Sequence, residues 1–276
     1  MFSISDYFRR PQASRKYVDL IMEASSKWAN WDPPKTIEAG DIGIIDKDSG
    51  QFEKIGSIYT HPATAEAAKA YPAVLKPAED VLVINSVYAK KVGGGGGVNA
   101  GIPGAGNVKF ETEIKFNKRR GAFLIMHNPR MTVVPDEFCS SATALGIPFF
   151  QDRKISVVTA AFACDGYALY LSSKQQESVK VALQANAPAP GAGAHAAGSW
   201  VMDGGSGVFR QAYLGNKAGY TPLYLLKSVQ PRPPRRRETP DPNENDDDRW
   251  NEMEVPWDFL DSDGEEEPPE EFSDDE

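Results

Sequence analysis

Residues 108–120, VKFETEIKFNKRR, leave the chain few choices of local structure. Extended, they put Val108, Phe110, Thr112, Ile114 and Phe116 on one face and Lys109, Glu111, Glu113 and Lys115 on the other, the two-residue period of a strand. The stretch ends in three cations, Lys118, Arg119 and Arg120, and follows five glycines at Gly93 to Gly97. One apolar and one charged face suit a half-buried sheet element or a strand in a lipid wall, and the period leaves both open.

The chain around this strand reads as a helix followed by many short strands. Met1 to Trp31 reads as helical: in 14–28, Tyr17, Leu20, Ile21, Ala24 and Trp28 recur at steps of three and four, with Arg15, Lys16, Asp19, Glu23 and Lys27 outside that stripe. Ahead of it lie Phe2, Ile4, Tyr7 and Phe8 beside Arg9 and Arg10, apolar anchors next to cations as an anionic headgroup layer would require. DIGII at 41–45, the turn DKDSG and the run from Phe52 to Tyr59 spell a hairpin. His61 to Lys76 is alanine-rich and reads as a short helix broken by Pro62 and Pro72. Strands are expected at 81–92, 122–126, twice within 154–171, at 178–184, 208–213 and 221–229; NAPAPGAGAHAAGSWVMDGGS at 186–206 is an excursion of low complexity.

Charge divides the chain more sharply than hydropathy does. Residues 238–276 carry 19 of the 39 acidic residues and a single basic one, Arg249, a balance of −18; the 29 basic and 20 acidic residues of 1–237 leave the body at +9. A cationic body seeks phosphate, in acidic lipid or nucleic acid, and a tethered polyanion can compete for the same surface. Between them, Gln230 to Pro242 has five prolines and Arg232, Arg235, Arg236 and Arg237, the composition of an exposed linker. Met1 to Phe8 is short and polar, unlike a secretory signal, and no apolar run approaches the ~18 residues of a spanning helix, so an intracellular protein is expected. Cys139 and Cys164 match no zinc spacing and are expected to be reduced.

Chemistry at a catalytic site finds little support. His61, His127 and His195 stand in no metal-binding pattern, GGSGV at 204–208 lacks the last glycine of a nucleophile elbow, and no GxxxxGK[ST] occurs. GAGAHA at 191–196 imitates a dinucleotide fingerprint without the strand-to-helix crossover that fingerprint needs. We expect no enzyme, no metal and no cofactor.

The basic N-terminal helices, KWANWDPPKTIEAGDIGII, VKFETEIKF, RGAFLIMHNPR and FRQAYLGNKAGYTPLYLLKSV, in that order, resemble the pore-forming domain of the gasdermins, in particular the short fungal members that include the regulator-of-cell-death proteins. The resemblance covers Met1 to about Val229 and lacks the large helical repressor domain of mammalian gasdermins. It implies an α+β fold, a twisted antiparallel sheet with flanking helices, followed by a disordered acidic tail. The divisions are then 1–229, the pore-forming domain; 230–242, the Pro/Arg-rich linker; and 243–276, the acidic tail, with an autoinhibitory role. It further implies a cytoplasmic protein that on activation refolds two regions, about Val81 to Phe123 and about Ile155 to Tyr213, into hairpins. Many copies then close a β-barrel in the plasma or mitochondrial membrane, with lytic cell death as the result and fungal allorecognition as the setting. The implied partners are acidic phospholipid, further copies or a related gasdermin, and an activating protease, with no nucleic acid.

By the same resemblance, acidic lipid would be met by Phe2, Arg9, Arg10, Arg15 and Lys16 on the arm and by Lys118, Arg119 and Arg120 beside the first hairpin. At about 1 kcal/mol per cation, four arm cations supply roughly 4 kcal/mol per copy, so binding and assembly should be coupled. In the tail, Trp250, Met253, Val255, Trp257, Phe259 and Leu260 lie among carboxylates, and a solubilising polyanion has little use for tryptophan. Trp250, Val255, Trp257, Phe259 and Leu260 are therefore expected to dock the body as a restraint. The rival readings are a basic nucleic-acid-binding module and a non-lytic scaffold with an acidic partner-binding tail; the first lacks any RNP, zinc or helix-turn-helix pattern. Reversing Arg9, Arg10, Arg15 and Lys16 together to glutamate should abolish binding to anionic vesicles in a flotation assay with little loss of thermal stability; undiminished binding would remove the arm from the lipid contact.

Overall fold

The computed structural model describes residues 13–93, 108–117, 121–139, 155–174, 176–185, 198–215, 217–229 and 250–257. In chain order its elements are α1 (Ala13–Ser25), β1 (Trp28–Ala29), β2 (Asp41–Ile45), β3 (Phe52–Ser57), α2 (Ala65–Ala68), β4 (Val74–Ala78), β5 (Val81–Asn85), β6 (Ala89–Gly93), β7 (Val108–Phe116), β8 (Ala122–His127), β9 (Arg130–Val133), β10 (Ser156–Cys164), β11 (Gly166–Leu171), β12 (Ser178–Ala185), β13 (Gly198–Gly204), β14 (Val208–Tyr213), β15 (Tyr220–Val229) and β16 (Trp250–Glu252). The fold is α+β, with antiparallel sheets and few helices.

The strands form three sheets. The largest, sheet A, runs β1-β15-β10-β2-β3, with β9 also on β10, β4 on β9 and β16 on β15. Sheet B runs β14-β11-β8-β5 and sheet C runs β13-β12-β7-β6. Every pairing among them is antiparallel. Two cores follow from this layering. In the first, α1 lays Tyr17, Val18 and Ile21 with Leu124 and Met126 of β8 and the inner residues of sheet A. In the second, sheet B and sheet C share Ile114, Phe116, Phe123, Ile125, Tyr170, Val179 and Trp200.

The helix differs from its expected extent and orientation. Among the described residues it begins at Ala13 and stops at Ser25, where Ser26 adopts a left-handed φ of 55° and the Ser25 hydroxyl turns back to the Ile21 carbonyl. Trp28 is thereby released from the helix and pairs with Tyr224 as strand β1. The buried face is Ser14, Arg15, Tyr17, Val18, Asp19 and Ile21, while Ala24 of the expected stripe is exposed. The stripe is rotated because β5 and β8 cover one side of α1 and the chain near 257 covers another. The helix expected over 61–76 is only the four-residue α2; Val74 and Leu75 leave it to pair with Val133 and Thr132 of β9.

The expected strands fare well. Residues 41–45 and 52–57 pair as a hairpin, and the alternation in β7 is realised, with Thr112, Ile114 and Phe116 buried and Lys109 and Lys115 exposed. Cys139 and Cys164 are free and buried, and burial pushes the Cys139 thiol up to about 11, which removes it as a nucleophile at neutral pH. The rotated helix face makes a direct test: Ile21→Ala should cost about 2–5 kcal/mol in urea unfolding, whereas Ala24→Lys should stay within about 0.5 kcal/mol. The reverse order of costs would restore the expected stripe.

Candidate functional site

The central feature is that sheets B and C carry the same strands folded over. Four short connectors join them one strand at a time: 86–88 between β5 and β6, 117–121 between β7 and β8, 172–177 between β11 and β12, and 205–207 between β13 and β14. The strand order is also the same in both sheets. At the centre the register continues across the fold. Ala122 faces Leu171 in sheet B, and Lys115 faces Ser178 in sheet C, seven residues back along one strand and seven on along the other. The two central strand pairs thus keep one antiparallel register, with seven steps from Lys115 to Ala122 and seven from Leu171 to Ser178. The bend returns the far ends to each other: Lys109 Nζ at the start of β7 lies 3.2 Å from the Tyr213 hydroxyl, and the Tyr213 ring is 5.6 Å from that of His127 at the end of β8.

Aromatic stacking and one carboxylate hold the bend. Tyr170 of β11 lies between Phe116 of β7 and Phe123 of β8, with ring centroids at 5.8 and 5.4 Å. Its hydroxyl donates to Glu177 Oε2 at 2.8 Å and accepts the backbone N–H groups of Ser206 at 3.1 Å and Gly207 at 2.7 Å. Glu177 also accepts the Ser172 hydroxyl at 2.6 Å, the Ser206 hydroxyl at 2.9 Å and the Ser206 N–H. This close approach explains two glycines. Gly205 has a φ of +86°, and a Cβ there would lie 2.7 Å from the Tyr170 hydroxyl; a Cβ on Gly207 would lie 2.0 Å from the Leu171 carbonyl oxygen.

A second constellation joins the acidic segment to the helix. Trp250–Glu252 pairs with Lys227–Val229 as an edge strand of sheet A, and the Met253 N–H continues the ladder to the Leu226 carbonyl. Met253, Val255 and Trp257, at alternate positions, then pack on the first core. The Trp257 indole N–H donates to Asp19 Oδ1 at 2.7 Å, its ring meets Trp28 edge-on at 6.0 Å, and the Arg15 guanidinium lies 5.0 Å from its centroid. Beside it Met22, Trp28, Leu226, Met253 and Val255 line a cavity of about 670 Å³ rimmed by Glu23, Glu252 and Glu254.

The expected site residues distribute as follows. Arg15 is only 8% exposed, beneath Trp257, and Lys16 is half-buried. Arg15 is therefore not a surface cation in this state, and reversing it with Arg9, Arg10 and Lys16 would carry a stability cost that the sequence did not foretell. Val255 and Trp257 are placed together on the body, and Trp250 contributes backbone pairing. Phe2, Arg9, Arg10, Lys118, Arg119, Arg120, Phe259 and Leu260 lie outside the described residues. The second region that the resemblance implies, about Ile155 to Tyr213, includes β10, which pairs with β15, β2 and β9 in sheet A and not with sheet B or sheet C. Asp19, Tyr170 and Glu177 were not anticipated. In the sequence SSKQQE at 172–177 is a polar run between two expected strands, with nothing local to set Glu177 apart.

No family model matches the chain, and no curated protein does. Among solved structures it is similar to the cryo-EM structure of the gasdermin A3 membrane pore, at 9% identity and a TM-score of 0.31, over 91% of this chain and 98% of that one. At that identity and score the likeness assigns no activity. No helix among the described residues is long and apolar enough to cross a membrane, which has no bearing on crossing by strands.

The indole socket can be tested without any membrane. Trp257→Ala should speed exchange of the Met253 amide by about tenfold or more and leave the β10–β15 amides unchanged. Equal protection in the variant would mean that the edge strand holds on its own.

Proposed function

We propose that this chain is a membrane pore-former of the gasdermin type, which binds acidic phospholipid, assembles with other copies and spans the bilayer as a β-barrel. The observation that carries the reading is the unbroken register of the β7–β8 and β11–β12 pair across its bend. Straightening the connectors lengthens an existing ladder without breaking or slipping its pairing. Barrel closure between copies then satisfies the edges, the only way strands can sit in hydrocarbon. The nine residues of β7 and eight of β12 approach the ~9 to 11 that a tilted strand needs to cross.

The chemistry of the faces agrees. Phe110, Ile114, Phe116, Val179, Val181 and Leu183 form one apolar face of sheet C, now turned toward sheet B, while Lys109, Lys115 and Lys180 line the other. In a barrel the first face meets lipid and the second the lumen. Trp200 is buried in this core with no partner for its indole N–H among the described residues, an arrangement suited to a side chain that completes its bonding at a membrane interface. Since seven is odd, straightening would join the apolar face of sheet C to the side of sheet B that α1 covers. The arm cations and Lys118 to Arg120 are the residues proposed to meet the acidic headgroups.

The acidic segment acts as the restraint. Trp257 covers Arg15, and the carboxylates around it oppose anionic lipid at the same place. Its release follows either proteolysis in 230–242 or displacement by a related chain, which would also permit mixed oligomers. On this reading the protein is not an enzyme, waits in the cytoplasm and acts at the plasma or mitochondrial membrane. Lysis of the cell follows, and by its resemblance to short fungal gasdermins its setting is allorecognition.

Dye release and toxicity test the two parts separately. Folded residues 1–237 should empty vesicles containing phosphatidylserine or cardiolipin and spare neutral ones; no release at any anionic composition would contradict pore formation. Expressed at equal levels, 1–237 and a Trp250→Ala/Trp257→Ala/Phe259→Ala chain should both be more toxic than the full chain. Equal toxicity of all three would contradict the restraint.

A further inference from the structure

Four connectors must straighten for sheets B and C to become one, and two of the four are tied together by a single side chain. We infer that Glu177 is the positioning residue that keeps the hinge closed, a clasp that couples the β11–β12 and β13–β14 connectors so that they open together. The inference deepens the pore-forming reading and rests on it.

Sequence separation shows which of its bonds belong to the bent state. Tyr170 and Glu177 are seven residues apart, and their side chains meet at 2.8 Å. In a straight strand seven residues span about 23 Å, so the bond cannot survive extension. The same holds for Ser172, five residues from Glu177 and bonded at 2.6 Å, which would move to about 17 Å away along a straight strand. The bonds to Ser206 are of another kind. Val179 faces Gly204 in the β12–β13 ladder, so Glu177 and Ser206 are the next same-face pair of that register. Their contact belongs to the sheet C ladder and does not depend on the bend.

The clasp therefore has a fixed half and a breakable half. Glu177 and Ser206 move as one cross-strand pair, and both are held to β11 through the Tyr170 hydroxyl, which takes the N–H groups of Ser206 and Gly207. Losing the Tyr170 hydroxyl cuts the ties of both connectors to β11 at that point and leaves the Ser172 bond to Glu177 and the Ser173 bonds to Ser206 as the remaining links. Charge makes this half strong, since bonds to an ionised carboxylate exceed neutral ones, and Glu177 is half-buried, where water competes less. The Tyr170 ring carries the link into the inter-sheet core through its stack on Phe116 and Phe123. The Phe116 N–H also donates to the Glu177 carbonyl at 2.8 Å, so the β7 strand end is held at the same point.

The test uses the full chain, with a cleavage site placed within 230–249 for the leakage arm. Glu177→Gln keeps the shape and removes the charge; Tyr170→Phe keeps the stack and removes the hydroxyl. Each should speed exchange of the Ser206 and Gly207 amides by about tenfold, with the Gly40 amide, bonded to the Val158 carbonyl of β10, as an unchanged reference. After cleavage, each should empty phosphatidylserine vesicles faster than the parent by a similar factor. The Ser173 and Ser206 hydroxyls lie 2.9 Å apart, so Ser173→Cys/Ser206→Cys can replace the clasp by a bond. Oxidised, this pair should stop leakage even with Glu177→Gln, and reductant should restore it. Unchanged exchange at 206 and 207 in both single variants, or oxidised cysteines that leak as fast as reduced ones, would overturn the clasp. Faster exchange with no leakage from any cleaved form would uphold the clasp and overturn the pore.

Discussion

The apolar face of sheet C is covered by sheet B, and on the proposed pore-forming reading hydrocarbon is the partner that replaces it. In water the face is satisfied by folding each long strand over at its connector, which buries Ile114, Phe116, Val179, Val181 and Leu183 against Phe123, Ile125 and Tyr170. At about 1.5–3 kcal/mol per large side chain, separating the sheets in water would cost roughly 12–24 kcal/mol, comparable to or above the whole stability of an ordinary domain. Acyl chains remove that penalty on the sheet C side. On the proposed reading, a membrane is the condition under which a straight ladder competes with the bent one.

Everything around the bend reinforces the folded choice. Tyr170 ties the stack to the connectors, α1 covers the outer side of sheet B, and the segment from 250 to 257 lies across α1 and the edge of β15. The Trp257 indole is the meeting point of helix, sheet and acidic segment, since it touches Arg15, Asp19 and Trp28 together. A side chain of that size on an otherwise acidic stretch couples the tail to the helix cation proposed for lipid. Release of the tail and exposure of Arg15 become one event.

Much of this was legible in the residues, and the limits of legibility have physical causes. The strict alternation of 108–116 required a strand with one greasy face, and DIGII with its DKDSG turn required a hairpin. The tryptophans among carboxylates raise the expectation of a docking segment; of its described residues, Trp250–Glu252 pair with β15 and Trp257 packs on the first core, while Phe259 and Leu260 lie outside the described residues. Periodicity could not say which side of α1 faces inward, because Arg15 and Asp19 are buried by a segment some 240 residues away in sequence, which no local pattern encodes. Nor could it show that β7 and β8 belong to different sheets, since a bend in a ladder changes neither strand's alternation. The clasp was hidden for the same reason: Glu177 reads as one polar residue in a polar run until the fold brings Tyr170 and Ser206 to it.

The proposed straightening can be measured as a distance. Lys109 and Asp80 mark opposite ends of the folded ladder: Lys109 reaches the Tyr213 hydroxyl, Tyr213 packs on His127, and Asp80 accepts the Asn128 N–H. Spin labels at these two positions, read by pulsed dipolar spectroscopy, should be close in solution. On phosphatidylserine vesicles after tail cleavage, the eighteen steps from 109 to 127 should open the separation to about 60 Å. Vesicles that leak while the short distance persists in every bound molecule would contradict the straightening outright.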